Sequence, residues 1–188
     1  SVGEVMAIGR SFREAYLKAL RSLEQSRLPI PTRAMAAKRS PQELESLLRI
    51  PTPARPQAIF EAFHRNMSVD EVYRHTAIDP WFLRQLKSMV DELAAIEAVK
   101  SIDALSDETL KTAKSHGFSD AQLAAALSIS EKAVRDHRWK RNLHPVYKCV
   151  DTCAGEFEAY TPYLYSTYDE EDEAPPTKRK KVVILGSG

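Results

Sequence analysis

Asp79-Pro80-Trp81-Phe82-Leu83-Arg84-Gln85-Leu86-Lys87-Ser88-Met89-Val90-Asp91-Glu92-Leu93-Ala94-Ala95-Ile96 is the stretch on which the fold turns. Asp79 offers a carboxylate as N-cap, and Pro80 suits the first helical position, where its missing N–H is not needed. Phe82, Leu86, Met89, Val90, Leu93 and Ile96 recur at helical spacing along one stripe, while Arg84, Lys87, Asp91 and Glu92 lie off it. The pattern predicts an amphipathic helix of about five turns, over residues 80–100, packing one face on a core.

The same combination of caps and stripes repeats on both sides. Upstream, Ser11 and Glu14 read as a capping box, followed by Phe12, Tyr16, Ala19, Leu20 and Leu23 on one face. Residues 26–58 carry Pro29, Pro31, Pro41, Pro51, Pro53 and Pro56, which forbid a long helix. A short one fits at Ser40-Pro41-Gln42-Glu43, with Leu44, Leu47 and Leu48 facing inward. Pro56 can open the next, with Ile59, Phe60 and Phe63 apolar, and Ser68 to Glu71 caps another. Downstream, Ser106 caps a helix that stops at His116-Gly117, where glycine suits the left-handed C-cap. Ser119 to Gln122 caps a helix bearing Leu123, Ala126 and Leu127, and Ser128 or Ser130 caps one through Val134 to about Trp139.

The expected fold class is all-α, an irregular array of seven or eight short helices with a strand fragment at each end. The strand fragments are expected in Val2 to Gly9 and Lys181 to Gly188, and both ends read as cut from a longer polypeptide. Between Tyr160 and Tyr168 the chain reads as extended; an acidic run, Asp169 to Glu173, and a basic run, Lys178 to Lys181, then read as a linker.

Twenty-seven basic residues against 26 acidic ones leave a net charge of +1, so no global field draws the chain to nucleic acid or to an anionic membrane. Hydrophobic residues at 43% and charged ones at 28% match an ordinary globular protein. No apolar run reaches the roughly 20 residues of a membrane span, and the opening residues do not read as a secretory leader, so the expected compartment is the cytoplasm. The two cysteines, Cys149 and Cys153, make no disulfide framework.

Three stretches carry residues capable of chemistry. Leu143 to Phe157 packs His144, Lys148, Cys149, Asp151, Thr152, Cys153 and Glu156 into fifteen positions. A structural zinc site needs four ligands and a nucleophilic cysteine needs a placed base, and the sequence supplies neither pattern here. Asp151 and Thr152 are expected to cap backbone amides, and Cys153 and Phe157, four apart, to pack inward. The pair of helices from Ser119 to Trp139 has a helix-turn-helix outline, with Lys132, Arg135, His137, Arg138 and Lys140 on the second helix. Glu131 and Asp136 interrupt that basic face, so a free-standing DNA-binding protein is the alternative reading, and no nucleic acid is the expected outcome. Gly186-Ser187-Gly188 begins a phosphate-type glycine turn without completing it, so neither a cofactor nor a metal site is expected within the chain.

Several stretches taken in order resemble the large chain of carbamoyl phosphate synthase. They are Ser1 to Arg10, Ser68-Val69-Asp70-Glu71-Val72, Thr76 to Leu83, Gly117-Phe118-Ser119-Asp120, His144-Pro145-Val146-Tyr147-Lys148, Val150 to Ala154, Tyr165-Ser166-Thr167-Tyr168 and Val182 to Gly186. Asn66 stands where that family usually has glycine, Pro56 where an aliphatic is usual, and Cys149 where a basic residue is usual. The resemblance implies residues 1–25 at the end of a first ATP-grasp unit, 26–174 as a helical connection and oligomerisation domain, and 175–188 leading into a second unit. It implies a parent ligase that uses ATP with Mg or Mn, draws ammonia from a glutaminase partner and serves pyrimidine and arginine synthesis. It also implies self-association and no catalytic residue within this stretch. Met6 becomes the one candidate site residue, as a neighbour of the route by which carbamate passes between reaction centres.

Overall fold

The computed structural model describes residues 4–25, 27–36 and 38–184. These form α1 (Phe12–Ser22), α2 (Pro41–Arg49), α3 (Arg55–His64), α4 (Val69–Thr76), α5 (Pro80–Val99), α6 (Asp107–Ser115), α7 (Asp120–Leu127), α8 (Glu131–Lys140), β1 (Val146–Cys149) and β2 (Leu164–Thr167). A short 3-10 turn, Ile102–Ala104, joins α5 to α6. The chain divides into two compact units, residues 1–144 and 145–188.

All the described helices lie in the first unit, and α5 runs through its middle against α1, α3, α4 and α7. Leu83, Leu86, Met89, Val90, Leu93 and Ile96 are buried along it, in one cluster with Leu17, Leu48, Phe60, Val72, Leu110, Leu123 and Val134 from its neighbours. Each such side chain removed from water contributes about 1.5–3 kcal/mol, far more than helix propensity supplies. The expected stripe is off by one at its start. Leu83 takes the inward place at 0% exposure, and Phe82, 44% exposed, lies edge-on against Phe12 of α1 at 5.4 Å. The apolar stripe is wide enough at that end to reach the core through Leu83 and α1 through Phe82.

Helix starts follow the local signals. Ser40 with Glu43, Ser68 with Glu71 and Ser119 with Gln122 form reciprocal capping boxes. The backbone and hydroxyl of Ser40 hold the Glu43 carboxyl below its usual range, and those of Ser68 do the same for Glu71. Ser130 rather than Ser128 caps α8, because Ser128 is already the left-handed C-cap of α7. Ser11 makes only half of its box: its hydroxyl accepts from the Glu14 amide, but the Glu14 carboxylate turns back one residue further, to the Arg10 amide at 2.6 Å. Gly117 ends α6 at φ +97°, as the sequence implies. Asn66, in the place of the family's glycine, is left-handed at φ +63°, a conformation asparagine tolerates better than most residues.

In the second unit β1 and β2 pair antiparallel, Val146 opposite Thr167 and Cys149 opposite Leu164. Lys148, on β1, is buried with its ammonium 3.0 Å from Glu173 and 3.5 Å from Glu171. The Glu173 carboxylate raises the lysine above its ordinary value. The expected strands near the two ends are absent among the described residues: 4–9 and 181–184 have no ladder partner, and Val182, Val183 and Ile184 stand exposed. A strand exists only through its neighbour's backbone groups, and the hairpin at 146–167 is where the chain supplies them. The remainder of both end stretches, residues 1–3 and 185–188, lies outside the described residues, as does the Gly186-Ser187-Gly188 turn.

Candidate functional site

The polar stretch 143–157 does not assemble into a reactive centre. Its first two residues belong to the helical unit: the Leu143 carbonyl accepts from Arg138 at 2.8 Å, and the His144 ring stands edge-on to Trp139 at 4.8 Å. Cys149 and Cys153 are free, half-buried thiols in the second unit. Asp151 accepts from the Cys153 amide at 2.8 Å, the backbone role expected of it. Thr152 does not share that role; its hydroxyl lies 3.9 Å from the Cys153 sulfur. Phe157 is 76% exposed instead of packed inward, because i,i+4 spacing brings side chains together only in a helix, and residues 150–163 form none. Among the described residues no three His, Cys, Asp or Glu side chains gather as a metal site.

The α7–α8 pair is built around Asp120 at the start of α7. Its carboxylate receives the Lys114 ammonium at 2.8 Å and an Arg138 guanidinium nitrogen at 2.8 Å, while Lys114 also donates to the Phe118 carbonyl. Burial first, then the nearby positive charges of Arg138 and Arg21, push the Lys114 ammonium down despite Asp120. Burial also opposes ionisation of Asp120, but the Arg138 and Lys114 bonds outweigh it and hold the carboxyl below its usual range. Arg138 and His137 therefore face the protein interior, and Lys132 is tied to Asp136 on its own helix. A DNA-reading helix presents such groups outward, and in α8 Arg138 and His137 are turned inward while Arg135 and Lys140 remain exposed. A cavity of about 520 Å³ lies in the proline-punctuated region, lined by Gln25, Leu28, Met35, Arg39 and Gln57 among others. Its polar groups are engaged within the protein: Arg39 on Glu61, Gln57 on the Pro29 carbonyl.

Met6 is 86% exposed on the segment that leads into α1. Lys18 donates to the Ile8 carbonyl at 2.9 Å, and Glu14, 1% exposed, bonds both the Arg10 amide and Lys18. The sequence shows Glu14 only as a capping residue; the anchoring of residues 8–10 by Glu14 and Lys18 was not legible, and the one signal for it is Gly9 just ahead of the helix.

Residues 4–142 match the family model of the carbamoyl-phosphate synthetase large chain, oligomerisation domain. The chain belongs to this family. The match ends just before β1 and covers the helical unit. Among curated relatives, the carbamoyl phosphate synthase large chain of Myxococcus xanthus is 55% identical over the whole of this chain, which spans 18% of that relative. The large chains of Thermus thermophilus and Archaeoglobus fulgidus are 50% and 47% identical, again over all of this chain and over 17% and 18% of theirs. The chain thus corresponds to less than a fifth of the carbamoyl phosphate synthase large chains that it matches. In that family context the inward-turned Arg138 and the structural Asp151 are parts of an oligomerisation domain and of the segment that follows it. Among the described residues no helix is long and apolar enough to cross a membrane.

Proposed function

We propose that the chain is the noncatalytic connecting and oligomerisation module of a carbamoyl phosphate synthase large chain, lying between two ATP-grasp units of the same polypeptide. The parent makes carbamoyl phosphate in the cytoplasm from bicarbonate, glutamine-derived ammonia and two ATP, with Mg or Mn at its nucleotide sites and a glutaminase subunit or domain as partner. Its product feeds pyrimidine and arginine synthesis. The observation that carries this reading is identity of about one residue in two along the entire chain to a part of several large chains. A spacer has a physical task in such an enzyme: carbamate decomposes in water, so its two reaction centres must be kept at a fixed separation with a sheltered route between them. Met6 is the residue of this chain assigned to that route. Copies of the module also associate with one another.

The test uses the full large chain with its glutaminase. Met6→Asp leaves bicarbonate-dependent ATP hydrolysis and ATP formation from carbamoyl phosphate and ADP in place, and lowers carbamoyl phosphate formed per ATP consumed severalfold. An unchanged ratio removes Met6 from the route, and loss of either partial reaction overturns the noncatalytic reading.

A further inference from the structure

The first turn of α1 is gripped from two sides by glycines. A Cβ on Gly9 would stand 2.9 Å from the Ala15 amide nitrogen and 3.0 Å from the Glu14 side chain. On the other side a Cβ on Gly117 would stand 2.9 Å from the Glu14 Cα. Only glycine lets the backbone of residues 8–10 and the end of α6 both lie this close to the helix. Glu14, in the middle, is a carboxylate at 1% exposure, and such a charge is tolerated only where it is matched. It is matched by the segment before the helix and by the helix itself: the Arg10 amide at 2.6 Å and the Lys18 ammonium at 2.8 Å. Lys18 then closes the ring by donating to the Ile8 carbonyl at 2.9 Å. The α6 side is fastened separately. Arg21 donates to the Gly117 carbonyl at 2.6 Å, and Arg13 reaches His116 at 2.7 Å, whose other ring nitrogen lies 2.8 Å from Glu92 of α5.

We infer that Glu14 and Lys18 are positioning residues that fasten the segment bearing Met6 to the helical module, so that the module sets where that segment lies. The inference rests on the proposed place of Met6 beside the carbamate route. Residues 8–10 carry no ladder or helix of their own, and these side-chain bonds together with the close approach of Gly9 hold them against α1. Lys18 is the member that can be changed with least harm to folding, since it is the more exposed partner, at 19% against 2% for Glu14.

The experiment measures, in the full large chain with its glutaminase, both amide exchange in peptides covering residues 8–12 and carbamoyl phosphate formed per ATP consumed. Lys18→Met is expected to speed exchange in those peptides and to lower the product-to-ATP ratio severalfold, while both partial reactions continue. Lys18→Arg, which keeps donors for Ile8 and Glu14, restores both quantities. Gly9→Ala, which pushes the segment off α1, gives the same pair of changes. Unchanged exchange in Lys18→Met overturns the fastening itself. Faster exchange with an unchanged ratio overturns the positioning role, and the Met6→Asp ratio then tells whether the route reading falls with it or stands alone. A merely structural residue would lower the amount of active enzyme and leave the ratio alone.

Discussion

His137 shows what burial does to a single titratable group. Its side chain is 7% exposed on α8, with Nδ1 3.4 Å from Asp103 and Nε2 buried without a partner. Burial pushes its pKa below the ordinary value, Arg141 and Lys140 act in the same direction, and Asp103 and Asp107 only partly offset them. A base depressed in the folded state binds fewer protons than the unfolded chain as pH falls. The stability from keeping it neutral is therefore fully present above about pH 6.5, the ordinary histidine value, and declines below it until the depressed pKa is passed. The urea midpoint of the chain should fall between pH 7 and pH 5, and His137→Leu should make that fall shallower; an equal slope in the variant would remove His137 as a cause. The sequence reads this residue as one of a basic series on a recognition helix. Nothing local distinguishes it or Arg138 from Arg135, because the partner that turns Arg138 inward, Asp120, lies eighteen residues away. Glu61 is hidden in the same way: a carboxylate at 1% exposure inside α3, held by Arg39 and Arg65 and accepting from the Arg39 amide at 3.0 Å. Buried charges are legible only once the opposite charge has been folded against them.

Elements were read well where the signal is local and poorly where it is not. A capping box needs four consecutive residues, and those at Ser40, Ser68 and Ser119 form as their spacing implies. The helix stop at Gly117 carries its own residue signal, whereas Ala77, Lys100 and Ser128 are left-handed without glycine, so their conformation is not announced by residue type even where the end of the helix, as near residue 100, is. The extended reading of residues 160–168 contains β2, but β1 and its pairing with β2 escaped notice because the strands are four residues each and separated by fourteen, too short to show alternation. Two substitutions separate the local from the nonlocal kind of stop and start. Ser68→Ala removes one hydroxyl from an exposed helix start and should cost about 1 kcal/mol. Gly117→Ala adds left-handed strain and a backbone clash with α1, and should cost upward of about 2 kcal/mol. Chemical denaturation of the two variants gives the comparison; a Gly117→Ala cost no larger than that of Ser68→Ala would mean that α6 and α1 separate easily.

At the scale of the whole molecule, the family is legible in the ordered stretches of sequence and the helical array in the caps and stripes; a surface for self-association is not, because it depends on which apolar side chains the core leaves uncovered. The inward face of α5 is consumed by the core, so the amphipathic stripe of the sequence cannot itself be that surface. The large apolar side chains that α5 leaves outside are in its first turn: Trp81 and Phe82, 46% and 44% exposed, edge-on to each other at 5.0 Å and to Phe12 at 5.4 Å. Partly exposed aromatics held rigid by one another lose little side-chain freedom when covered, which is why such groups dominate the energetics of protein contacts. If copies of the large chain meet through this corner, Trp81→Ser with Phe82→Ser should remove about 2 kcal/mol or more of association free energy, at least a tenfold weaker self-association. Sedimentation velocity of the full large chain across a concentration series measures it. A shift toward monomer, with circular dichroism of the variant unchanged, supports the contact. An unaltered distribution rules this corner out as the contact.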